Sequence, residues 1–117
     1  EIEMNEGGKY LDSLWNTKNS KIKTVKLSDK TNGICLELLE IINVNGLSKR
    51  KKSLKIHDLG ITHFALTVND LDKIYLNMKK NKVQFLGKPL VTIDKKAKVV
   101  FCKDPDGCFI ELVQVII

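Results

Sequence analysis

The sequence lacks several features that would assign it to a special class of protein. No apolar run approaches the length of a membrane span, and the N-terminus shows no basic-then-apolar signal pattern. The three cysteines are odd in number and have no CxxC spacing, which argues against a disulfide framework and a zinc knuckle. We therefore expect a cytoplasmic protein with no membrane partner.

The composition is that of an ordinary globular protein with a surplus of lysine. The chain has 117 residues, of which 43% are hydrophobic and 29% charged, which suits one domain with one hydrophobic core. The net charge of +6 includes a dense cluster, Lys49–Lys55. Because this cluster lacks interleaved aromatic residues and lies in a Gly- and Ser-containing stretch, it favours a solvated linker. We expect no nucleic-acid partner.

The first part of the chain predicts little regular structure before residue 21. Residues 1–20 are polar and predicted to be irregular, apart from an apolar cluster at helical spacing, formed by Tyr10, Leu11, Leu14 and Trp15. This cluster predicts either a short helical turn or a loop that packs over another part of the chain. Residues 21–27 alternate as in a strand, and turn residues follow. Residues 34–42 are almost continuously apolar, which predicts a strand buried on both faces. A linker is predicted over 43–60.

The second part, residues 61–117, predicts the element order β-α-β-β-β. Residues 61–68 form a strand with His63, Ala65 and Thr67 on one face. Asn69 is the predicted N-cap of a helix that ends near Asn81, with an apolar stripe of Leu71, Ile74, Tyr75 and Met78. Short strand segments at 83–87 and 90–93 precede a strand at 98–103. The turn 104–107, with Gly107 in the left-handed conformation, leads to a closing strand over 108–116.

The sequence of the closing strand is repeated earlier in the chain, and the alignment of the two segments matches one glutamate with another. Gly33–Glu40 aligns with Gly107–Gln114, so that Glu37 matches Glu111 in the middle of an apolar strand. Burying an unpaired carboxylate costs free energy, so two glutamates at equivalent positions of apolar strands indicate a specific role for them. His63 precedes Glu111 by 48 residues. The residue equivalent to His63 in the first module, 48 positions before Glu37, would therefore lie before residue 1. The first module therefore is predicted to lack its opening strand and helix.

These residues resemble the vicinal oxygen chelate superfamily, which includes glyoxalase I, methylmalonyl-CoA epimerase, extradiol dioxygenases and bleomycin-resistance proteins. The resemblance covers residues 7–42 and 60–117 and is carried by Gly60–Asp72, Asp104–Gly107 and Phe109–Gln114. It implies an α+β fold of βαβββ modules that form a curled, cup-shaped mixed sheet, with 1–42 a partial first module and 61–117 a complete second one. Both would belong to a single glyoxalase-like domain.

The resemblance also implies a metal site and a reaction. By position, His63, Glu111 and Glu37 match three of four ligands of a divalent ion, and Glu111 and Glu37 match the glutamates that move a proton next to a carbonyl. The implied function is a lactoylglutathione lyase-like lyase or isomerase that acts on a small α-oxo substrate or its thiol adduct. A non-catalytic binding or resistance protein is the alternative. An extradiol-type dioxygenase fits less well, since it normally uses two histidines and a glutamate.

The chemistry of the three side chains supports a metal site independently of the resemblance. One imidazole and two carboxylates suit Zn²⁺, Ni²⁺, Co²⁺, Fe²⁺, Mn²⁺ or Mg²⁺. The competing interpretation of His63 is a core histidine with a hydrogen bond, and His57 is expected to be solvated in the linker. Exposed strand edges and the missing opening unit predict a homodimer.

Overall fold

The structure is a computed structural model that describes residues 2–42 and 55–116. The chain divides into two compact units, Glu1–Lys49 and Arg50–Ile117. This division falls within the predicted linker 43–60, whose residues 43–54 lie outside the described part of the chain, as does the basic cluster except for Lys55. The two units are considered separately below.

The first unit begins with a strand that the sequence did not predict. Its elements are β1 (Ile2–Gly7), α1 (Lys9–Trp15), β2 (Lys21–Ser28) and β3 (Cys35–Ile41). The expectation that residues 1–20 are irregular apart from one helical turn is therefore wrong. Residues 2–7 are weakly apolar, but antiparallel pairing with β2 along the whole segment satisfies the backbone groups that face β2. Of the two alternatives for the apolar cluster, the structure shows the helix, α1, in which Leu11 is buried.

The first sheet has the order β1-β2-β3, and both of its pairings are antiparallel. Ile22 and Thr24, on one face of β2, are buried. The prediction that the third strand is buried on both faces is wrong, because every residue from Cys35 to Glu40 is exposed. Among the described residues β3 pairs only with β2, so it is an edge strand despite its apolar sequence.

The second unit confirms the predicted element order. It consists of β4 (His63–Thr67), α2 (Leu71–Lys80), β5 (Leu90–Val91), β6 (Ala97–Lys103) and β7 (Phe109–Val115). The sheet order is β4-β7-β6-β5, with β4 parallel to β7 and the other pairings antiparallel. The first and last strands of this unit therefore lie side by side.

Helix α2 packs its predicted apolar stripe onto this second sheet. Leu71 and its neighbours along the stripe contact a core whose buried strand residues are Val100, Cys102 and Leu112. The N-cap is Asp70 rather than the predicted Asn69, since the Asp70 carboxylate accepts a hydrogen bond from the Lys73 amide at 3.0 Å. Because the N-cap lies one residue later than predicted, a carboxylate caps the first turn, whose backbone amides have no carbonyl partner within the helix.

The turn between β6 and β7 fixes which side chains face each other across the sheet. Gly107 has φ +87°, as expected for the left-handed position. Its amide donates to the Asp104 carbonyl at 3.1 Å, and the Asp104 carboxylate accepts from the Cys108 amide at 2.8 Å. The resulting register places Phe101 directly opposite Glu111.

The fold class is confirmed as mixed α+β, with one sheet in each unit. Within residues 2–42 no strand lies parallel to β3 in the way that β4 lies parallel to β7. No helix in the described part of the chain has the length and apolar character needed to cross a membrane.

Candidate functional site

His63 and Glu111 meet on one face of the second sheet. Ala65 lies directly opposite Glu111 in the parallel pairing of β4 and β7. Since alternate residues of a strand share a face, His63, two residues before Ala65, lies on the same face as Glu111. The distance from His63 Nε2 to Glu111 Oε2 is 3.7 Å. Strand pairing thus brings together two groups that are 48 residues apart in the sequence.

Two neighbours that sequence reasoning did not identify fix the position of the imidazole. The Phe101 ring meets the His63 ring edge-on, with 5.2 Å between the ring centroids and an interplanar angle of 73°. The Oγ1 atom of the adjacent residue Thr62 lies 3.2 Å from His63 Nδ1, within hydrogen-bonding distance. Counting outward from the predicted turn at Gly107 identifies Phe101 as the residue opposite Glu111. No sequence signal singles out Thr62.

The pair is accessible, and apolar side chains flank it. The side chains of His63 and Glu111 are 38% and 24% exposed. Phe109 and Val113 flank Glu111 on the same face of β7; Phe109 is buried and Val113 is half-buried. The Lys103 ammonium lies 5.2 Å from the centroid of the Phe109 ring. An imidazole and a carboxylate at an apolar surface are thus open to a small ligand.

The separation of the two side chains fits two ligands of one divalent ion. Zinc lies about 2.1 Å from nitrogen and oxygen ligands, so two ligands at a tetrahedral angle are about 3.4 Å apart. The observed 3.7 Å needs only a small rotation of either side chain to reach that separation. A catalytic zinc site usually takes three protein ligands, of which His63 and Glu111 would supply two.

Glu37, the third predicted ligand, lies in the first unit and has a partner of its own. It lies directly opposite Lys26 in the pairing of β2 and β3, and its Oε1 is 2.8 Å from Lys26 Nζ. Its side chain is 48% exposed. Within either unit, no group of three or more His, Cys, Asp or Glu side chains is close enough to hold a metal ion, over residues 2–42 and 55–116. The ligand role of Glu37 stays a prediction from the sequence.

A separate cavity in the second unit has different chemistry. It has a volume of about 360 Å³ and is lined by residues 81–84 and 103–105. Its charged lining residues are Lys82, Lys103 and Asp104, and neither His63 nor Glu111 borders it. The face that carries His63 and Glu111 is therefore the stronger candidate for acid–base or metal chemistry.

Comparison with known proteins shows the family to which the chain belongs. The sequence profile of the Glyoxalase/Bleomycin resistance protein/Dioxygenase superfamily matches residues 6–112. A glyoxalase family protein from Bacillus cereus superimposes with a TM-score of 0.87 at 15% identity, over 99% of this chain and 76% of that one. A provisionally assigned glyoxalase from Bacillus halodurans gives 14% identity over 97% and 75% of the two chains, with a TM-score of 0.47 that carries no argument. Comparison with curated proteins finds no match. The chain belongs to the Glyoxalase/Bleomycin resistance protein/Dioxygenase superfamily.

Proposed function

We propose that this protein is a metal-dependent lyase or isomerase that acts on a small α-oxo compound or its thiol adduct. The observation that carries the proposal is the pairing of His63 and Glu111, with Nε2 and Oε2 3.7 Å apart on neighbouring parallel strands. His63 and Glu111 would hold the divalent ion, and the sequence repeat adds Glu37 as the proposed third ligand. The ion, when bound, polarises a carbonyl and stabilises the negative charge that develops on its oxygen.

The protein side chains supply the proton transfer and the surroundings for it. The Glu111 carboxylate, when it is released from the ion, would take a proton from the carbon next to the substrate carbonyl and return it to the neighbouring position. Phe101 contacts the imidazole edge-on, and with Phe109 it makes this part of the face apolar. An apolar surrounding strengthens the interaction of the carboxylate with a polarised substrate, because it excludes water.

A second candidate function is binding without catalysis. The 3.7 Å between His63 and Glu111 is also an ion-pair distance, so a protonated imidazole satisfies the carboxylate without any metal. In that case the same face binds a small molecule and leaves it unchanged.

Metal analysis of the purified full chain separates the two functions. We expect one divalent ion per chain after dialysis against trace Zn²⁺ or Ni²⁺, and loss of the ion in His63→Ala and in Glu111→Ala. His57→Ala is the matched control, since His57 is the other histidine and is exposed. Equal metal content in all four proteins, or none in the wild type, would contradict the metal site.

Proton abstraction is tested apart from metal content. An α-oxo compound in D₂O should exchange the hydrogen next to its carbonyl when the metal-loaded protein is present, as followed by proton NMR. Glu111→Gln, assayed at a metal concentration that saturates its weakened site, should remove the exchange, since an amide cannot accept the proton. A wild-type protein that binds metal and gives no exchange would support the binding function.

A further inference from the structure

The hydrogen bond at Nδ1 of His63 determines what Nε2 of the same ring presents to Glu111. A neutral imidazole carries one proton, so one ring nitrogen is a donor and the other is an acceptor. Only the nitrogen without the proton can bind a metal ion, and the hydrogen bond that the other nitrogen makes usually fixes which one that is. The position of the proton on His63 is therefore part of the candidate site.

The distance at Nε2 argues against a proton on that nitrogen. An N–H group that donates to an oxygen lies about 2.7–3.2 Å from it. His63 Nε2 and Glu111 Oε2 are 3.7 Å apart, which is longer than such a bond. Two atoms that face each other with lone pairs are expected at this longer distance, and a cation between them would draw them together.

Thr62 supplies a partner for the other ring nitrogen. Its Oγ1 lies 3.2 Å from His63 Nδ1, and a hydroxyl can either donate or accept a hydrogen bond. If the hydroxyl donated, the ring proton would be on Nε2, where the distance to Glu111 is too long for a hydrogen bond. If the hydroxyl accepts, the proton is on Nδ1, and both distances are explained.

The surroundings of the ring favour a fixed orientation. Thr62 directly precedes His63, the first residue of β4, and its side chain is half-buried. Because threonine is β-branched, its side chain has few rotamers available. The Phe101 ring contacts the imidazole edge-on, with 5.2 Å between the centroids. Phe101 therefore limits the rotation of the imidazole without offering a polar atom that competes for its proton.

We propose that Thr62 is a positioning residue of the candidate metal site. Its hydroxyl accepts the Nδ1 proton of His63 and so directs the lone pair of Nε2 toward Glu111. The inference rests on the proposed function, since it treats Nε2 as a metal ligand. With this tautomer the two side chains can bind the same divalent ion without first moving a proton from one ring nitrogen to the other.

The effect on metal binding is tested by calorimetric titration of the full chain with Zn²⁺. Thr62→Val replaces the hydroxyl by a methyl group of similar shape and should weaken binding about tenfold or more. Thr62→Ser keeps the hydroxyl and should bind as the wild type does. Thr67→Val is the matched control, because Thr67 is four residues from His63 on the same strand. Circular dichroism verifies that the variants are folded.

The tautomer is measured by ¹⁵N NMR of the imidazole nitrogens in the metal-free protein. The measurement is made at about pH 8.5, where an ordinary imidazole is neutral. We expect the His63 proton on Nδ1 in the wild type and in Thr62→Ser. In Thr62→Val it should move mainly to Nε2, which is the more common form of histidine in water. His57→Ala assigns the signals, since the chain has two histidines.

The two measurements separate the role of Thr62 from the proposed function. The proposal is overturned if the wild type carries the His63 proton on Nε2, or if Thr62→Val changes neither the tautomer nor the affinity for Zn²⁺. It is also overturned if Thr62→Ser loses as much affinity as Thr62→Val. A wild type that binds no divalent ion would instead contradict the proposed function, and the tautomer would still decide the role of Thr62.

Discussion

The strands β3 and β7 share a sequence pattern but have different surroundings. Each begins after a glycine turn and carries a glutamate at its centre, Glu37 in one and Glu111 in the other. β7 lies between β4 and β6 and beneath α2, and its Leu112 is buried. β3 has one neighbouring strand among the described residues, and its Leu38 is exposed. The comparison shows that an apolar sequence sets the capacity for burial, while neighbouring elements decide whether it occurs.

The same comparison separates the two glutamates. The Glu111 carboxylate faces the His63 imidazole, whereas the Glu37 carboxylate pairs with the Lys26 ammonium. A carboxylate next to an imidazole can bind the same metal ion as the imidazole. A carboxylate next to an ammonium already has its negative charge balanced by that group. Four predictions test these differences, beginning with the largest expected effect.

The equivalent leucines should differ most in their contribution to stability. Leu112→Ala removes a side chain that is 4% exposed and should lower the free energy of unfolding by about 2–5 kcal/mol, through lost burial and a cavity. Leu38→Ala, in the equivalent position of β3, should change it by no more than about 0.5 kcal/mol. Urea unfolding of both variants measures the difference. Equal losses would mean that β3 is covered in solution.

Substitution of each of the two equivalent glutamates should lower the affinity of the protein for a divalent ion. Glu111→Gln should weaken binding of Zn²⁺ at least about tenfold, because a neutral amide is a poorer ligand than a carboxylate. Glu37→Gln tests the third ligand, and the sequence repeat predicts a loss of similar size. Calorimetric titration of each variant gives the affinities. Unchanged affinity in Glu37→Gln would remove Glu37 from the site and restrict it to the second unit.

The two helices should differ in their dependence on a capping side chain. Asp70→Ala removes the carboxylate that accepts from the Lys73 amide and should cost about 1 kcal/mol. Helix α1 begins after Gly8, which provides no side-chain cap, so it has no equivalent loss. Thermal unfolding measures the effect, and Asp70→Asn, which keeps an oxygen acceptor, should retain most of the stability. A neutral Asp70→Ala would show that the cap is dispensable once α2 is packed on its sheet.

The smallest expected effect concerns the acid stability of the first unit. The Ser20 amide, at 2.7 Å, and the Asn19 amide donate to the Asp12 carboxylate, and these bonds lower the pKa of Asp12 from its ordinary 3.8. The stabilisation is fully present above that ordinary value and is lost as the pH falls through the lower pKa of the folded state. As the pH is lowered through the acidic range, the free energy of unfolding should therefore fall less steeply in Asp12→Asn than in the wild type. Identical pH slopes would contradict this linkage.

The sequence was sufficient for the second unit because its local signals agree with each other. The stripe of Leu71, Ile74 and Tyr75 has helical period, and the turn at Gly107 fixes the pairing of the strands on either side of it. Alternation along β4 then placed His63 on one face before its neighbours were known. The cap was misplaced by one residue, since Asn69 and Asp70 are both suitable caps and backbone geometry chose between them. The predicted strand segment at 83–87 is wrong, because the structure has only an isolated bridge there, at Phe85.

The sequence was less informative for the first unit. The strand β1 has weak apolar character, so pairing with β2 rather than local preference determines it. The apolar run of β3 predicted a fully buried strand, but burial requires a layer on each face and a strand on each side. The contact of Phe101 and Thr62 with His63 likewise depends on side-chain placement that period and parity do not specify.

The sequence by itself determined the repeat, the order of elements in the second unit and the shared parity of His63, Ala65 and Thr67. These follow from the two-residue period of strands, the 3.6-residue period of helices and the glycine in a left-handed turn conformation, which are local properties of the chain. Only the tertiary structure decided that β4 lies beside β7, which brings the His63 imidazole to 3.7 Å from Glu111. It also decided that Glu37 pairs with Lys26 and that β3 is exposed, because contacts between distant segments depend on which strands become neighbours.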